Sequence, residues 1–198
     1  MSDRTNTHAR RESGRRTREA CILDAADRLF YARGVRAVGM DELVRATGLG
    51  KMTVYRLFPT KDALVGAYLR RRSAALLKLI DEEIAQHAGD PRAAIMAVMD
   101  AVERDVSRDD FRGCPFNNAS VEFDDPSHPA RLAAIDYKRG LYDRLSTLAE
   151  QLRPGCGQVL AARLHLLIDG MYLSAGILGK DGPAAHGRAL AELLLDVS

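Results

Sequence analysis

The sequence MDELVRATGLGKMTVYRLFPTKDAL, residues 40–64, predicts two short helices joined by a tight turn and followed by a third helix. Apolar Met40, Leu43 and Val44 recur at the i, i+3, i+4 spacing of an amphipathic helix. We expect this helix to end before Gly48, because glycine readily adopts the left-handed conformation that helix ends favour. The chain can therefore reverse within a few residues and begin a second helix.

The second helix, predicted over residues 51–57, turns Val54 and Leu57 to one side and leaves its polar side chains facing outward. Two short helices joined by a glycine-containing turn form a helix-turn-helix, whose second helix can enter the DNA major groove. Pro59 ends the unit, because the residue before a proline is pushed out of helical geometry. Thr60 is then expected to cap the next helix. An ordinary helical hairpin packed in a bundle is the alternative for this stretch.

This region resembles the tetracycline-repressor (TetR) family of bacterial transcription regulators. In that family the first helix ends in Phe-x-x-x-Gly, here Phe30 and Gly34, and Gly-Val-Ser-x-x-Thr-Leu-Tyr-x-x-Phe-x-Ser-Lys-x-x-Leu follows, here GLGKMTVYRLFPTKDAL. Two positions depart from the pattern, since Gly50 replaces a capping serine and Gly39, with the valine before it, replaces a capping threonine or serine. The resemblance implies an all-α fold of about nine helices, with a three-helix head and a six-helix body.

Composition and periodicity divide the chain into three segments. Residues 1–16 are polar and rich in arginine, so we predict an arm that is disordered in the free protein. It is either a solvated tail or a basic arm that contacts DNA phosphates or the minor groove. Residues 17–60 are predicted to form the helix-turn-helix domain, and residues 61–198 a ligand-binding and dimerisation domain. No β pattern competes with the helical periodicity.

Charge is distributed unevenly along the 198 residues, although the net charge is only +2. Residues 1–60 carry 12 Arg and Lys against 7 Asp and Glu, whereas residues 61–198 carry 17 against 20. The basic charge therefore lies with the helix-turn-helix, as expected of a protein that offers one end to a polyanion. No apolar run reaches the roughly 18 residues of a membrane span, and the N-terminus does not look like a signal peptide. We expect a cytoplasmic protein with no membrane partner.

Cysteine and histidine are scattered through the sequence. Cys21, Cys114 and Cys156 share no spacing typical of a zinc site, so we expect neither disulfides, nor a metal, nor any cofactor. Cys114 is the best candidate nucleophile, but no Cys-His enzyme signature surrounds it. The sequence therefore predicts a protein that is not an enzyme, with a Cys-dependent hydrolase as a remote alternative.

A redox or electrophile switch at Cys114 is a further alternative. Its place just before a helix predicted from Pro115, two residues from Arg112, would favour the thiolate. The nearby carboxylates of Glu122 and Asp124 oppose the thiolate, and free cysteines are among the most buried residues. We favour a packing role for this side chain.

The predicted DNA contacts lie on the second helix of the motif and beside it. Lys51 can donate to guanine, while Met52 and the methyl group of Thr53 can contact thymine methyl groups. Asp41 either accepts from cytosine N4 or caps its helix. Phosphate contacts are assigned to Tyr55, Arg56 and Lys61, and the family resemblance implies this role for Tyr55 and Lys61. The predicted partner is a palindromic double-stranded DNA operator read by a homodimer.

The dimer interface is predicted on the last two helices, over residues 158–178 and 184–197. The first carries an apolar surface too broad for a single seam, and the family resemblance implies a four-helix bundle built from two subunits. The predicted interface residues are Leu160, Leu164, Leu167, Ile168, Met171, Tyr172, Leu190, Leu193, Leu194 and Val197.

A small, partly apolar effector is predicted to bind inside the body and to release the DNA by changing the spacing of the two heads. The long helix that follows Thr60 is the expected lever. A constitutive DNA-binding protein without ligand control is the alternative. The predicted pocket residues are Met96, Met99, Phe116, Asn117, Val121, Tyr137, Leu141, His165 and Met171.

Overall fold

The computed structural model describes residues 2–196, with side chains for residues 12–196, and the regular elements of this part of the chain are all helices. The helices are α1 Ser2–Arg33, α2 Met40–Thr47, α3 Lys51–Leu57, α4 Lys61–Ala85, α5 Pro91–Val106, α6 Pro115–Glu122, α7 Pro129–Leu152, α8 Gly157–Leu178 and α9 Gly187–Asp196, with a 3-10 turn at Pro183–His186. The first three form the head and the other six the body. The predicted all-α fold is confirmed, and none of these helices is long and apolar enough to cross a bilayer.

Apolar side chains from all three helices of the head meet in one core. Ile22 and Phe30 of α1, Leu43 of α2 and Val54 of α3 are each at most 3% exposed. These are the positions at which the helical periodicity places apolar residues on the inner faces. The core therefore fixes the orientation of α3 and leaves its opposite face free.

The turn and the caps of the head form as the sequence predicts. Gly48 adopts a φ of 66°, and its N–H donates to the carbonyl of Arg45. The Thr60 hydroxyl accepts from the N–H of Ala63 at 3.1 Å and so caps α4. The head therefore passes directly into α4, the helix that enters the body.

Helix α1 begins at Ser2, although the sequence predicts a disordered arm over residues 1–16. The segment contains no proline, and Glu12 and Arg16 form an ion pair of 2.9 Å at the i, i+4 spacing that supports a helix. The backbone of residues 2–16 therefore continues α1 in place of the predicted arm.

The body is built around α7, which packs against both α4 and α8. Leu141 and Leu145 of α7 and Leu164 of α8 are buried in its core. The backbones of α4 and α7 come close at Gly66, where an added Cβ would lie 2.7 Å from the Cβ of Pro129. Only a residue without a side chain permits this approach.

Helix α6 ties the body to the head at both of its ends. The Glu122 carboxylate accepts from the backbone N–H of Val35 at 3.1 Å and of Arg36 at 2.8 Å, in the loop between α1 and α2. Just before α6, the backbone N–H of Arg112 donates to the hydroxyl of Tyr31, on α1, at 3.0 Å. A movement of α6 would therefore pull on the head directly.

Candidate DNA-binding and effector sites

The free face of α3 carries the side chains predicted to contact DNA. Lys51 and Arg56 are exposed, and Met52 is 83% exposed. Thr53 and Tyr55 are partly exposed on the same short helix. An apolar side chain this exposed, with cationic residues on both sides, does not stabilise the free protein. The surface is therefore suited to a partner that is both anionic and partly apolar.

Lys51 is held by an ion pair with the helix before it. Its Nζ lies 2.9 Å from Oδ1 of Asp41 and 5.7 Å from the centre of the Tyr55 ring. The hydrogen bond from Lys51 lowers the pKa of Asp41 and raises the pKa of Lys51. Asp41 does not cap α2, because the N-cap residue is Gly39. Of the two roles that the sequence left open for Asp41, the structure does not support the cap, and a base contact stays a prediction that would require Asp41 to release Lys51.

Lys61 lies at the start of α4 and is partly exposed. Together with the residues of α3 it completes the predicted set. All seven predicted DNA-binding residues, Asp41, Lys51, Met52, Thr53, Tyr55, Arg56 and Lys61, are thus at least partly accessible to solvent.

An apolar groove of about 740 Å³ runs between α8 and α9 on the outside of the body. Its α8 wall includes Leu166, Leu167 and Gly170, and its α9 wall includes Leu190 and Leu193. Leu173 and Ile177 extend the exposed apolar surface along α8. So large an apolar surface is typical of an interface with another protein.

Half of the predicted interface residues are at this groove. Leu167, Met171, Leu190, Leu193 and Leu194 line it. By contrast, Leu160, Leu164, Ile168 and Tyr172 are buried in the core of the same subunit, so they do not form a free surface as predicted. Helix α8 is apolar on both of its faces, and periodicity alone could not identify the outer one. Leu166, Leu173 and Ile177 were missed for that reason, and Val197 lies outside the described residues.

A second cavity lies among α4, α5, α7 and α8 of the body and is partly open to solvent, since Leu79 on its wall is 56% exposed; we call it the body cavity. Its volume is about 370 Å³, which is within the range of small-molecule pockets. The residues that line it are Leu76, Leu79, Ile80, Glu83, Val98, Ala101, Val102, Arg104, Asp105, Arg108, Tyr137, Leu141 and Tyr172.

Two of the nine predicted pocket residues, Tyr137 and Leu141, line the body cavity. Met96, Met99, Phe116, Asn117, His165 and Met171 do not line it, and Met99 and Phe116 are packed in solid core. Val121 is 85% exposed and does not face the interior as predicted. Helix α6 has only 8 residues, and Phe116 and Ala119 form its buried face, so Val121 lies on the opposite, exposed face.

Cys114 is buried at the N-cap of α6 and is a free thiol. Burial raises the pKa of this thiol, although the charge of Lys138 works in the opposite direction. The thiolate is therefore scarce at neutral pH, which agrees with the packing role favoured for Cys114. Among the described side chains, no three His, Cys, Asp or Glu residues come together as metal ligands.

The three-helix head with its exposed α3 defines a helix-turn-helix DNA-binding protein. The family model described as "Bacterial regulatory proteins, tetR family" matches residues 22–68. The HTH-type transcriptional repressor Rv3405c of Mycobacterium tuberculosis is 30% identical over 144 residues, which are 72% of this chain and 71% of that protein. The chain therefore belongs to the TetR family of transcriptional regulators.

Two further proteins define the extent of the similarity. The uncharacterized HTH-type transcriptional regulator Rv1255c of M. tuberculosis is 43% identical over 75 residues, so the match spans 37% of that protein's length and 37% of this chain. The crystal structure of SCO4454, a TetR-family transcriptional regulator from Streptomyces coelicolor, has a TM-score of 0.84 at 29% identity. That match covers 98% of this chain and 95% of SCO4454, so the body as well as the head shares its fold.

Proposed function

We propose that this protein is a homodimeric repressor that binds a palindromic operator and leaves it when a small, partly apolar molecule enters the body. The observation that carries the proposal is the free face of α3, where Met52 is 83% exposed beside Lys51 and Arg56. Cationic groups suit phosphates and guanine, and an exposed methionine suits thymine methyl groups. The similarity to the repressor Rv3405c supports repression as the outcome.

The contacts of α3 divide into base and phosphate contacts. Lys51, Met52 and Thr53 lie in its first turn and are proposed to contact base edges. Tyr55, Arg56 and Lys61 are proposed to bind phosphates. Asp41 is proposed to accept from cytosine N4 once Lys51 has moved to the DNA. Exchange of one ion pair for contacts to bases would cost little, because both partners are exposed.

The groove between α8 and α9 is proposed as the dimer interface. Two copies that join by their grooves would bury Leu166, Leu173 and Leu193 in a four-helix bundle. A two-fold symmetric dimer presents its two heads to two half-sites, which is the reason that the operator is proposed to be palindromic.

The body cavity is proposed as the effector site. It is bounded by α4, the helix that continues from the head, and by Tyr137. The Tyr137 ring stacks on Phe116 of α6 with centroids 3.9 Å apart, and Glu122 at the end of α6 holds the loop between α1 and α2. A ligand that binds one arrangement of these helices better than the other would change the spacing of the heads.

Selection of duplexes from a random-sequence pool, followed by fluorescence anisotropy, tests the DNA-binding part of the proposal. We expect a palindromic consensus and an affinity that falls steeply with salt. Lys51→Ala should weaken binding to the consensus and relax preference at one base pair, by about 1–3 kcal/mol. Lys78→Ala is the matched control, because Lys78 is exposed on α4, away from the head, and among the described residues it pairs with Glu82 alone. Equal affinity for consensus and random duplexes would refute sequence-specific regulation.

A further inference from the structure

The wall of the body cavity carries a hydroxyl group that has no hydrogen-bond partner among the described residues. Tyr137 is 4% exposed, and its hydroxyl makes no hydrogen bond to any residue whose side chain the structure describes. The stacking on Phe116, with an interplanar angle of 13°, restricts the orientation of its ring. Its oxygen is not among the fully buried unpaired side-chain atoms of the described residues, so it is accessible from the cavity, where a partner can reach it. A ligand in the cavity would supply that partner.

The charged groups at the cavity are already paired with one another. Asp105 accepts from the hydroxyl of Tyr172 at 2.9 Å and forms an ion pair of 3.1 Å with Arg108. Glu83 on α4 forms an ion pair with Arg104 on α5. Two carboxylates and two guanidinium groups therefore balance, and no countercharge remains for an ionised ligand. An ionised group placed at the buried end of the cavity, beside Tyr137, would lose its hydration without compensation.

The remaining wall of the cavity is apolar. The side chains that form it are Leu76, Leu79, Ile80, Val98, Ala101, Val102 and Leu141. This wall favours a hydrocarbon skeleton, because burial of apolar surface is favourable and a second polar group would find few partners.

We propose that the effector is a compact, uncharged molecule with an apolar skeleton and a carbonyl-type oxygen that accepts a hydrogen bond from Tyr137. This inference rests on the function proposed above and specifies the chemical class of its effector. Burial raises the pKa of Tyr137, so the phenol keeps its proton and acts as a donor at neutral pH.

Three probes of nearly equal shape separate the relevant interactions. Acetophenone carries a carbonyl oxygen, cumene has a methyl group in its place, and benzoate carries a negative charge. By titration calorimetry we expect wild-type protein to bind acetophenone more tightly than cumene, and benzoate least. Tyr137→Phe should weaken acetophenone binding about fivefold, as expected for one neutral hydrogen bond, and leave cumene binding unchanged. Ala101→Phe, which fills the cavity, should abolish binding of both.

A measurement without any probe tests the same inference. Tyr137→Phe removes a hydroxyl that has no partner, so we expect the melting temperature of the unliganded protein to stay the same or to rise. A fall would show that the hydroxyl already has a partner and would overturn the inference. It would also be overturned if wild type bound benzoate or cumene as tightly as acetophenone, or bound no acetophenone up to its solubility.

The DNA measurement distinguishes this inference from the function on which it rests. If acetophenone binds in a Tyr137-dependent manner and weakens binding to the selected operator, both are supported. If it binds in that manner but leaves operator affinity unchanged, the chemistry of the cavity is supported and its role in releasing DNA fails.

Discussion

Replacement of Glu122 by alanine should loosen the joint between head and body. The carboxylate of Glu122 accepts two backbone N–H groups, those of Val35 and Arg36. Hydrogen bonds to a charged group contribute about 1.5–3 kcal/mol each, but water can replace the bond to the exposed Arg36. Val35 is buried and its N–H would lose its partner outright. We therefore expect Glu122→Ala to lower the free energy of unfolding by about 2 kcal/mol.

Hydrogen exchange shows where that free energy is lost. If opening of the joint becomes easier by about 2 kcal/mol, exchange of the amides of Val35 and Arg36 should become about 30-fold faster. Glu122→Gln keeps the shape and one acceptor, so its effect should be about half as large in kcal/mol. Asp124→Ala is the matched control, because Asp124 is exposed and lies two residues away. Unfolding by urea within 0.5 kcal/mol of wild type, with unchanged exchange at both amides, would refute this account of the joint.

Three further predictions concern the dimer, the thiols and the packing of the body. Leu193→Glu would bury an unpaired charge in the α8–α9 groove of the dimer, at a cost of about 3 kcal/mol or more. Sedimentation should therefore show a monomer at concentrations where wild type is a dimer. The control Leu132→Glu, on the exposed face of α7, should remain a dimer. A thiol reagent should label exposed Cys156 in the native protein and label buried Cys114 only after unfolding, as read by mass spectrometry. Gly66→Ala should lower the free energy of unfolding by about 1–2 kcal/mol in urea titrations, because the added methyl group overlaps α7.

Each of these has an outcome that would contradict it. A dimer unchanged by Leu193→Glu would place the interface elsewhere. Rapid labelling of Cys114 in native protein, together with loss of operator binding on oxidation, would support the redox alternative. A Gly66→Ala protein as stable as wild type would show that α4 and α7 can separate at no cost.

The helix-turn-helix could be predicted from the sequence because its signals are local. Gly48 ends one helix, Thr60 caps another, and the apolar positions between them repeat at helical spacing. The joint at Glu122 could not be predicted, because its carboxylate meets backbone groups 86 and 87 residues away in the chain. The sequence pattern does not reveal which backbone N–H groups have no acceptor nearby in the chain.

Most residues that line the body cavity, the proposed effector site, were not predicted from the sequence, for a different reason. Periodicity identifies residues that face inward, and Met99 and Tyr137 both do. It does not show that Met99 is packed on all sides while Tyr137 borders a cavity. That difference depends on how closely α4, α5, α7 and α8 approach one another, which is a property of the whole body. The outer face of α8 was missed likewise, since both of its faces are apolar.

The uneven distribution of charge has a kinetic consequence. Residues 1–60 are net basic and residues 61–198 net acidic, so the molecule is an electric dipole in the field of DNA. We expect that field to turn the dipole before contact, so that encounters begin with α3 foremost. Such steering raises the association rate and weakens over the Debye length, about 8 Å at physiological ionic strength. We expect mutation of the base-contacting residues proposed on α3 to act mainly on the dissociation rate, whereas salt should act on the association rate through steering and on the dissociation rate through the phosphate contacts.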